Sequence, residues 1–266
     1  MSDILEELTA ARRRDAASRE AEITFAEMMR RAEAAPAPRD FAAAFQTVAR
    51  DARPYQARIV AELKRASPSE GMIREDFRPA ELAGELEAAG AAALSVLCEP
   101  HRFLGGEEYL RAVRGVVGVP ILYKDFLSTR YQIAAARAAG ADAVLLIAAV
   151  LDDATLKDLL GFAHGLGLSA LVETHDEAEI ERAVQAGARI VGVNCRNLRN
   201  FSTDVSLLES LIGRIPRPCL RVAESGMHTA EAIRRAQAAG ADGFLVGTAL
   251  MRADRPGEKL EDMING

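Results

Sequence analysis

The sequence has few cysteines, and none of them stands close to another. Cys98, Cys195 and Cys219 form no CxxC or Cys/His ligand pattern, and each lies in or beside an apolar run. An odd count without a pairing pattern argues against a disulfide framework. We therefore expect buried, reduced thiols and a reducing compartment, the cytoplasm.

Long apolar segments are also missing. No apolar stretch approaches the ~20 residues that a helix needs to span a bilayer. The first seven residues, MSDILEE, are charged and lack the apolar core of a signal peptide. These features predict a soluble protein without membrane contact.

Positive charge is not in excess. Lys and Arg number 33 against 39 Asp and Glu, so the formal net charge is −6. A general polyanion binder needs surplus cations to neutralise many phosphates, so we expect no nucleic-acid partner. A small anionic ligand held by a few local groups stays possible.

One short sequence motif recurs four times along the chain. At Gly90, Gly140, Gly187 and Gly240 a helical pattern ends in Ala-Gly-Ala and an apolar run comes next. This is typical of a helix C-cap that leads into a strand. The spacings of 50, 47 and 53 residues fit two βα units each.

The intervening strands lie where this spacing requires them. Most are short and almost wholly apolar, as in strands covered on both faces. The predicted strands are 58–64, 92–97, 120–124, 143–147, 170–173, 190–194, 220–224 and 243–246. Thr129, Asp176 and Thr229 stand at helix N-cap positions between them.

Eight alternating βα units predict an α/β fold, a (β/α)8 TIM barrel over residues 57–266. An open, doubly wound sheet is the alternative. The regular repeat and the lack of a GxGxxG turn after the first strand count against it.

Residues 1–56 precede the barrel and predict an N-terminal helical extension within one overall domain. Helices are expected over 3–19 and 24–34, where Thr24 and Glu27 have capping-box spacing. Pro36 and Pro38 break the pattern, and Asp40 can cap a third helix through residue 50. Two interpretations stay open, a plug over one barrel end or a part in closing the active site.

The active site of such a barrel lies at the carboxyl ends of the strands. Polar residues end five of the predicted strands there. Lysines and carboxylates held close in a partly dry pocket can serve as general acids and bases. These candidates are Glu62, Lys64, Lys124, Glu173, Asn194, Arg196, Glu224 and Ser225.

A phosphate site is predicted after strands 7 and 8. Ser225-Gly226 and Gly247-Thr248 place small residues where backbone N–H groups can approach an anion, and Thr248 can begin a short helix. The alternative is that these glycines only serve tight turns. Ser67, in the loop after strand 1, can add a hydroxyl.

Three histidines, His101, His175 and His228, fall in loops on the same rim. Their spacing matches no metal-ligand motif, so no metal is expected. His164 lies in a predicted helix away from the rim and is expected to be structural.

Several of these stretches together resemble the indole-3-glycerol phosphate synthase family. They are IVAELKRASPS (59–69), LSVL (94–97), KDF (124–126), LVE (171–173), NCRNL (194–198), AESG (223–226) and VGT (246–248). The resemblance runs through the whole chain. The sequence differs from the residues usual in the family at Tyr123, at the pair Gly105-Gly106 and at residues 127–129. These differences affect loop detail only.

The resemblance implies an enzyme without cofactor that closes, decarboxylates and dehydrates 1-(2-carboxyphenylamino)-1-deoxyribulose 5-phosphate to indole-3-glycerol phosphate. It makes Lys124 the general acid and Glu173 the general base. Lys64 would contact the substrate carboxylate, with a proton transfer in the dehydration as a second role left open, and Glu62 would orient the lysines and contact the substrate. The family's other site positions fall on the pocket-lining Asn194, Arg196, Glu224 and Ser225, the phosphate-binding Ser67, Gly226, Gly247 and Thr248, and the ring-contacting Phe103, Phe126 and Leu145.

We expect a monomer or weak homo-oligomer whose partner is the phosphorylated substrate. Two other functions compete with this one. Another phosphate-binding barrel enzyme, such as phosphoribosylanthranilate isomerase, would be expected to use an Asp/Cys pair instead of Lys124 and Glu173. A barrel that serves only as a binding or scaffold protein would not need the full set of polar rim residues.

Overall fold

A computed structural model describes residues 4–46, 56–196 and 205–266. Eight parallel strands close into a barrel in which each strand pairs with its chain neighbours. The last strand returns to the first, with Phe244 opposite Ile59. The strands are β1 (Ile59–Leu63), β2 (Ala93–Leu97), β3 (Ile121–Lys124), β4 (Ala143–Ile147), β5 (Ser169–Thr174), β6 (Ile190–Val193), β7 (Leu220–Ala223) and β8 (Gly243–Val246). Closure confirms the (β/α)8 prediction and excludes the open sheet.

Helices alternate with the strands around the barrel. They are α3 (Pro79–Ala88), α4 (Glu107–Arg114), α5 (Arg130–Ala138), α6 (Asp153–Gly165), α7 (Glu177–Ala186), α8 (Val205–Ile212), α9 (Ala230–Ala238), the short α10 (Thr248–Met251) and α11 (Pro256–Asn265). Two further helices precede them in the N-terminal extension. None of the described helices is long and apolar enough to cross a membrane.

The predicted helix ends are formed by the residues that the sequence indicated. Thr129, Asp176 and Thr229 each accept a hydrogen bond from the backbone N–H three residues on. The four repeated glycines have φ of 94°, 95°, 96° and 106°, a left-handed conformation that L residues rarely adopt. The repeat therefore marks the turn from helix to strand.

The strands are mostly apolar because both of their faces are largely buried. One face meets the helices, and the other fills the barrel interior, where Val60, Leu122, Leu171 and Val222 belong to one apolar cluster. The three cysteines all lie within the described residues, where they are buried and form no disulfide, as predicted.

The N-terminal extension begins with α1 (Ile4–Glu22) and α2 (Phe25–Ala34). Met28 and Ala32 of α2 pack against Tyr131 and Ala135 of α5. Thr24 caps α2 by accepting from the N–H of Glu27 at 3.3 Å, as predicted. The Glu27 carboxylate, however, pairs with Arg30 and Arg31, so only the Thr24 half of the predicted capping box is found.

The predicted third helix differs from the structure. Asp40 accepts from the N–H of Ala43 at 3.1 Å, but it begins only a single 3-10 turn, Ala42–Phe45. The end of the predicted helix lies outside the described residues. Phe41 and Phe45 are in edge contact, 5.3 Å between ring centroids, and both belong to the cluster that fills the barrel.

Candidate active site

One cavity opens at the carboxyl ends of the strands, and every predicted site residue lines it. The wall also includes residues that the sequence did not indicate. Ile4, Leu5 and Leu8 reach it from α1, and Asp125 and Met227 from the barrel loops. Hence the extension takes part in the site.

Lys124 lies between two carboxylates. Its Nζ is 3.2 Å from Glu173 Oε2 and 3.2 Å from Glu224 Oε2. Burial disfavours the ammonium form, but Glu224, Glu173 and Glu62 outweigh burial and raise the pKa of Lys124 well above its ordinary value. The lysine therefore stays protonated at neutral pH.

Glu173 and Glu224 face each other across Lys124 but have opposite pKa shifts. Burial opposes ionisation of Glu173, yet Lys124 and His175 hold its pKa well below the usual range. Burial and the nearby Glu173 charge raise the pKa of Glu224 to about 8, although Lys124 opposes them. At neutral pH the pair therefore holds one proton, on Glu224.

A glycine makes room for Glu224. In the barrel Glu173 lies opposite Gly192 of β6. A Cβ at Gly192 would come within 2.0 Å of Glu224 Oε1, an oxygen without a hydrogen-bond partner among the described residues. Only glycine lets this carboxyl group reach Lys124 without displacement.

Lys64 and Glu62 form a second ion pair, with 2.9 Å between Nζ and Oε1. Burial opposes ionisation of Glu62, but Lys64 and Lys124 lower its pKa. A Cβ at Gly247 would lie 2.5 Å from the same Oε1. Gly247 is thus required by the close approach of Glu62, apart from any ligand.

Asn194, just after β6, connects three loops. Its amide donates to Glu173 Oε1 at 3.1 Å, and its carbonyl accepts from Ser225 Oγ at 2.5 Å. That carbonyl also accepts from the N–H of Arg196 at 3.1 Å. The guanidinium of Arg196 donates to Ser69 Oγ at 2.6 Å, which links this loop to the one after β1.

The opposite walls of the cavity differ in polarity. Phe103 and Phe126, with centroids 6.2 Å apart, join Leu145 and Leu8 in an apolar wall. Ser67, Gly226, Gly247 and Thr248 form a wall of small and hydroxyl groups. Such a cavity can hold an aromatic ring at one side and an anion at the other.

The rim histidines have separate surroundings. His101 Nε2 lies 2.7 Å from Asp15 Oδ2 on α1, and His228 lines the cavity. His175 contacts Glu173, a contact that sequence reasoning missed because it weighed His175 only as a metal ligand. The His175–Glu179 spacing at the start of α7 was the available signal. In the described ranges no three His, Cys, Asp or Glu side chains form a metal-binding group.

A closed (β/α)8 barrel with a protonated lysine between paired carboxylates at the mouth defines an enzyme equipped for acid–base chemistry. The chain belongs to the indole-3-glycerol phosphate synthase family, whose model, described as "Indole-3-glycerol phosphate synthase", matches residues 5–263.

Full-length relatives carry the same description. The chain is 45% identical to indole-3-glycerol phosphate synthase of Variovorax paradoxus (strain S110) over 98% of both chains. It is 41% identical to that of Acidithiobacillus ferrooxidans (strain ATCC 53993 / BNL-5-31) over 99% of both.

Solved structures support the fold alone. Thiamine phosphate pyrophosphorylase from Pyrococcus furiosus aligns with a TM-score of 0.58 at 17% identity, covering 78% of this chain and 93% of its own. N-acetylmannosamine-6-phosphate 2-epimerase from Clostridium perfringens aligns with a TM-score of 0.58 at 18% identity, covering 77% and 90%.

Proposed function

We propose that the chain converts 1-(2-carboxyphenylamino)-1-deoxyribulose 5-phosphate to indole-3-glycerol phosphate, a carboxy-lyase reaction of tryptophan biosynthesis. The observation that carries the assignment of roles is the Lys124 ammonium, held 3.2 Å from both Glu173 and Glu224 at the cavity. The apolar and hydroxyl walls on either side suit the anthranilate ring and the phosphate of this substrate.

Lys124 acts as the general acid in this scheme. Attack of the anthranilate ring on the ribulose carbonyl develops negative charge on oxygen, which a buried ammonium stabilises and then protonates. Transfer from Lys124 is favourable because an alkoxide is more basic than an amine. Loss of CO₂ then restores aromaticity in the ring.

Lys64, paired with Glu62, is the contact for the substrate carboxylate. An anion bound beside Lys64 and Lys124 weakens the hold of Lys124 on Glu173, because it competes for the same positive charge. Glu173 thereby becomes more basic in the complex and serves as the general base. Asn194 fixes its other oxygen.

The phosphate is assigned to the wall after β7 and β8. Gly226, with φ of +83°, Gly247 and Thr248 line the cavity, and these small residues let an anion approach the backbone N–H groups. Ser67, in the loop after β1, lines the cavity beside them, since β1 and β8 are neighbours in the barrel. Because Gly247 also accommodates Glu62, enlarging it would disturb two functions together.

We further propose that the enzyme acts in the cytoplasm as a monomer or weak homo-oligomer without a nucleic-acid partner. The buried free thiols support a reducing compartment. Light scattering of the purified protein over a range of concentrations tests the oligomeric state.

The test is indole fluorescence during turnover of the carboxyphenylamino substrate by the wild type, Lys124→Ala and Lys64→Ala. Lys124→Ala should lower kcat by ~10²–10⁴-fold with a smaller change in KM, since the interaction is made in the transition state. The exposed Lys157 of α6 provides a matched control, Lys157→Ala. Near-wild-type single-turnover rates for Lys124→Ala would transfer the acid role to Lys64.

A further inference from the structure

His175 stands outside the cavity but directly behind one of its carboxylates. It comes after the last residue of β5 and precedes Asp176, the N-cap of α7. Its Nε2 lies 3.4 Å from Glu173 Oε1, and its Nδ1 lies 3.1 Å from Glu179 Oε2. The side chain is largely buried, with 20% of its surface exposed.

The two carboxylates beside the ring favour the imidazolium form. A neutral imidazole has one N–H, so one of its two nitrogens would turn a lone pair toward a carboxylate. With a carboxylate beside each nitrogen, only the doubly protonated ring directs a donor to both. The ring position is fixed as well, because Glu179 Oε2 also accepts from the backbone N–H of His175 at 2.8 Å.

Glu173 is surrounded by donors on both of its oxygens. Oε1 receives the Asn194 amide at 3.1 Å and faces His175, while Oε2 faces the Lys124 ammonium. Lys124 and Asn194 line the cavity and are open to substrate, whereas His175 does not line it. His175 is therefore the partner of Glu173 that the substrate leaves in place.

We propose that His175, charged and held by Glu179, is a positioning residue that keeps Glu173 ionised and oriented toward Lys124. The inference rests on the proposed function, because Glu173 is the general base of that reaction. When substrate draws Lys124 and Asn194 away, the His175 cation prevents Glu173 from taking a proton before it is needed.

The charged groups around the ring agree with this role. Glu173 faces it from β5 and Glu179 from α7; beyond Glu173 lie Lys124 of β3 and Glu224 after β7. Burial disfavours the charged ring, but Glu173 and Glu179 outweigh burial and raise the pKa of His175 to about 10. The ring thus stays protonated across the physiological range.

The kinetic test compares the wild type with His175→Gln, which keeps a hydrogen-bond donor but loses the charge. Losing the ionic contact between His175 and Glu173 should lower kcat by about tenfold to a hundredfold with little change in KM. The acidic limb of kcat/KM should also move to higher pH, because Glu173 protonates more readily without the cation. A variant that was only misfolded in part would lose rate equally at every pH.

A second variant examines Glu179, the partner that holds the ring. In Glu179→Gln the pKa of His175 falls, so activity should match the wild type at acidic pH and decline as the ring deprotonates. The exposed Glu181 of the same helix gives the matched control, Glu181→Gln, and His164→Gln controls for loss of a histidine elsewhere. Wild-type pH profiles in both His175→Gln and Glu179→Gln would overturn the inference.

An NMR measurement on the wild type separates this inference from the proposed function. The protein has four histidines, so the ring ¹⁵N signals of His175 can be assigned by comparison with His175→Gln. Both nitrogens should carry protons at pH 8, and a neutral tautomer there would refute the inference even if turnover is normal. If the wild type gives no indole product, the proposed function fails whatever the state of the ring.

Discussion

At the scale of single residues, Glu224 connects stability to pH. Its pKa rises from the ordinary 4.5 to about 8 in the folded protein, because of burial and the Glu173 charge. In the unfolded chain it ionises near its ordinary value. The native state therefore holds a proton that the unfolded state releases, and stability falls as pH rises between these two values.

Glu224→Gln imitates the protonated side chain and should remove this loss. We expect the free energy of unfolding of the variant, relative to that of the wild type, to increase from about pH 4.5 to about pH 8. Above pH 8 this difference should stay constant. The full gain is on the order of 5 kcal/mol. Urea unfolding at successive pH values, with Glu181→Gln as control, measures it. A constant difference between the variant and the wild type across this range would contradict the assignment of the proton to Glu224.

The sequence predicted which residues meet at the mouth, but not their pairing. Lys124 and Glu173 could be identified because each is a polar residue that ends an apolar strand. Which carboxylate takes the proton depends on distances between strands that are far apart in sequence. The role of Gly192 depends on its position opposite Glu173, and this register appears only when the barrel closes.

At the scale of secondary-structure elements, α1 is tied to the strand that carries Lys124. Asp125, the next residue, accepts three hydrogen bonds from Arg12, Nε to Oδ1 at 2.9 Å, Nε to Oδ2 at 3.0 Å and Nη2 to Oδ2 at 2.7 Å. The Asp125 side chain is fully buried, and that of Arg12 is 15% exposed. Further ion pairs to α1 come from Arg102, His101 and Glu107.

Arg12→Ala should loosen α1 over the cavity. Removing one partner of a buried pair leaves Asp125 charged without its cation, which costs about 3 kcal/mol of stability. Because Leu5 and Leu8 line the cavity, we expect KM to rise more than kcat falls. Hydrogen exchange of the α1 amides and steady-state kinetics measure both effects, with the exposed Arg14→Ala as control. Unchanged exchange in α1 would show that the other ion pairs suffice.

Elements were predicted with unequal accuracy for physical reasons. Each strand lies within one residue of its predicted bounds, because burial on both faces leaves a continuous apolar run with polar ends. The turn Ala42–Phe45 was expected to begin a longer helix, since its alanines favour helix in isolation. Here Phe41 and Phe45 are drawn into the barrel, and tertiary packing decides the local structure.

At the scale of the whole molecule, the extension meets both ends of the barrel. At the mouth, α1 contributes Leu5 and Leu8 to the cavity wall. At the opposite end, the Phe45 ring lies against Gly243 at the start of β8, where a Cβ would come within 2.2 Å of it. Arg39 also anchors this segment, donating to the carbonyls of Val117 and Val119 before β3.

We therefore propose that residues 1–56 and 57–266 form one domain, in which the two interpretations of the extension apply to different parts. Phe41 and Phe45 act as the plug, and α1 completes the active site. Two truncations separate these roles, one that removes residues 1–22 and one that removes residues 1–45.

The shorter truncation keeps α2 and both phenylalanines, so it should still unfold cooperatively, at a temperature lowered by the loss of the Arg12–Asp125 pair. Its KM should rise about tenfold, because substrate loses apolar contact worth roughly 1–2 kcal/mol with the missing leucines.

The longer truncation also exposes the barrel interior. Loss of two buried phenylalanines at roughly 3–5 kcal/mol each approaches the whole stability of a typical domain, so cooperative melting should disappear or shift far downward. Calorimetry and kinetics on both proteins decide the matter. A wild-type KM in the protein that lacks residues 1–22 would show that α1 does not contribute to substrate binding. A wild-type melting temperature in the protein that lacks residues 1–45 would show that the barrel folds without Phe41 and Phe45.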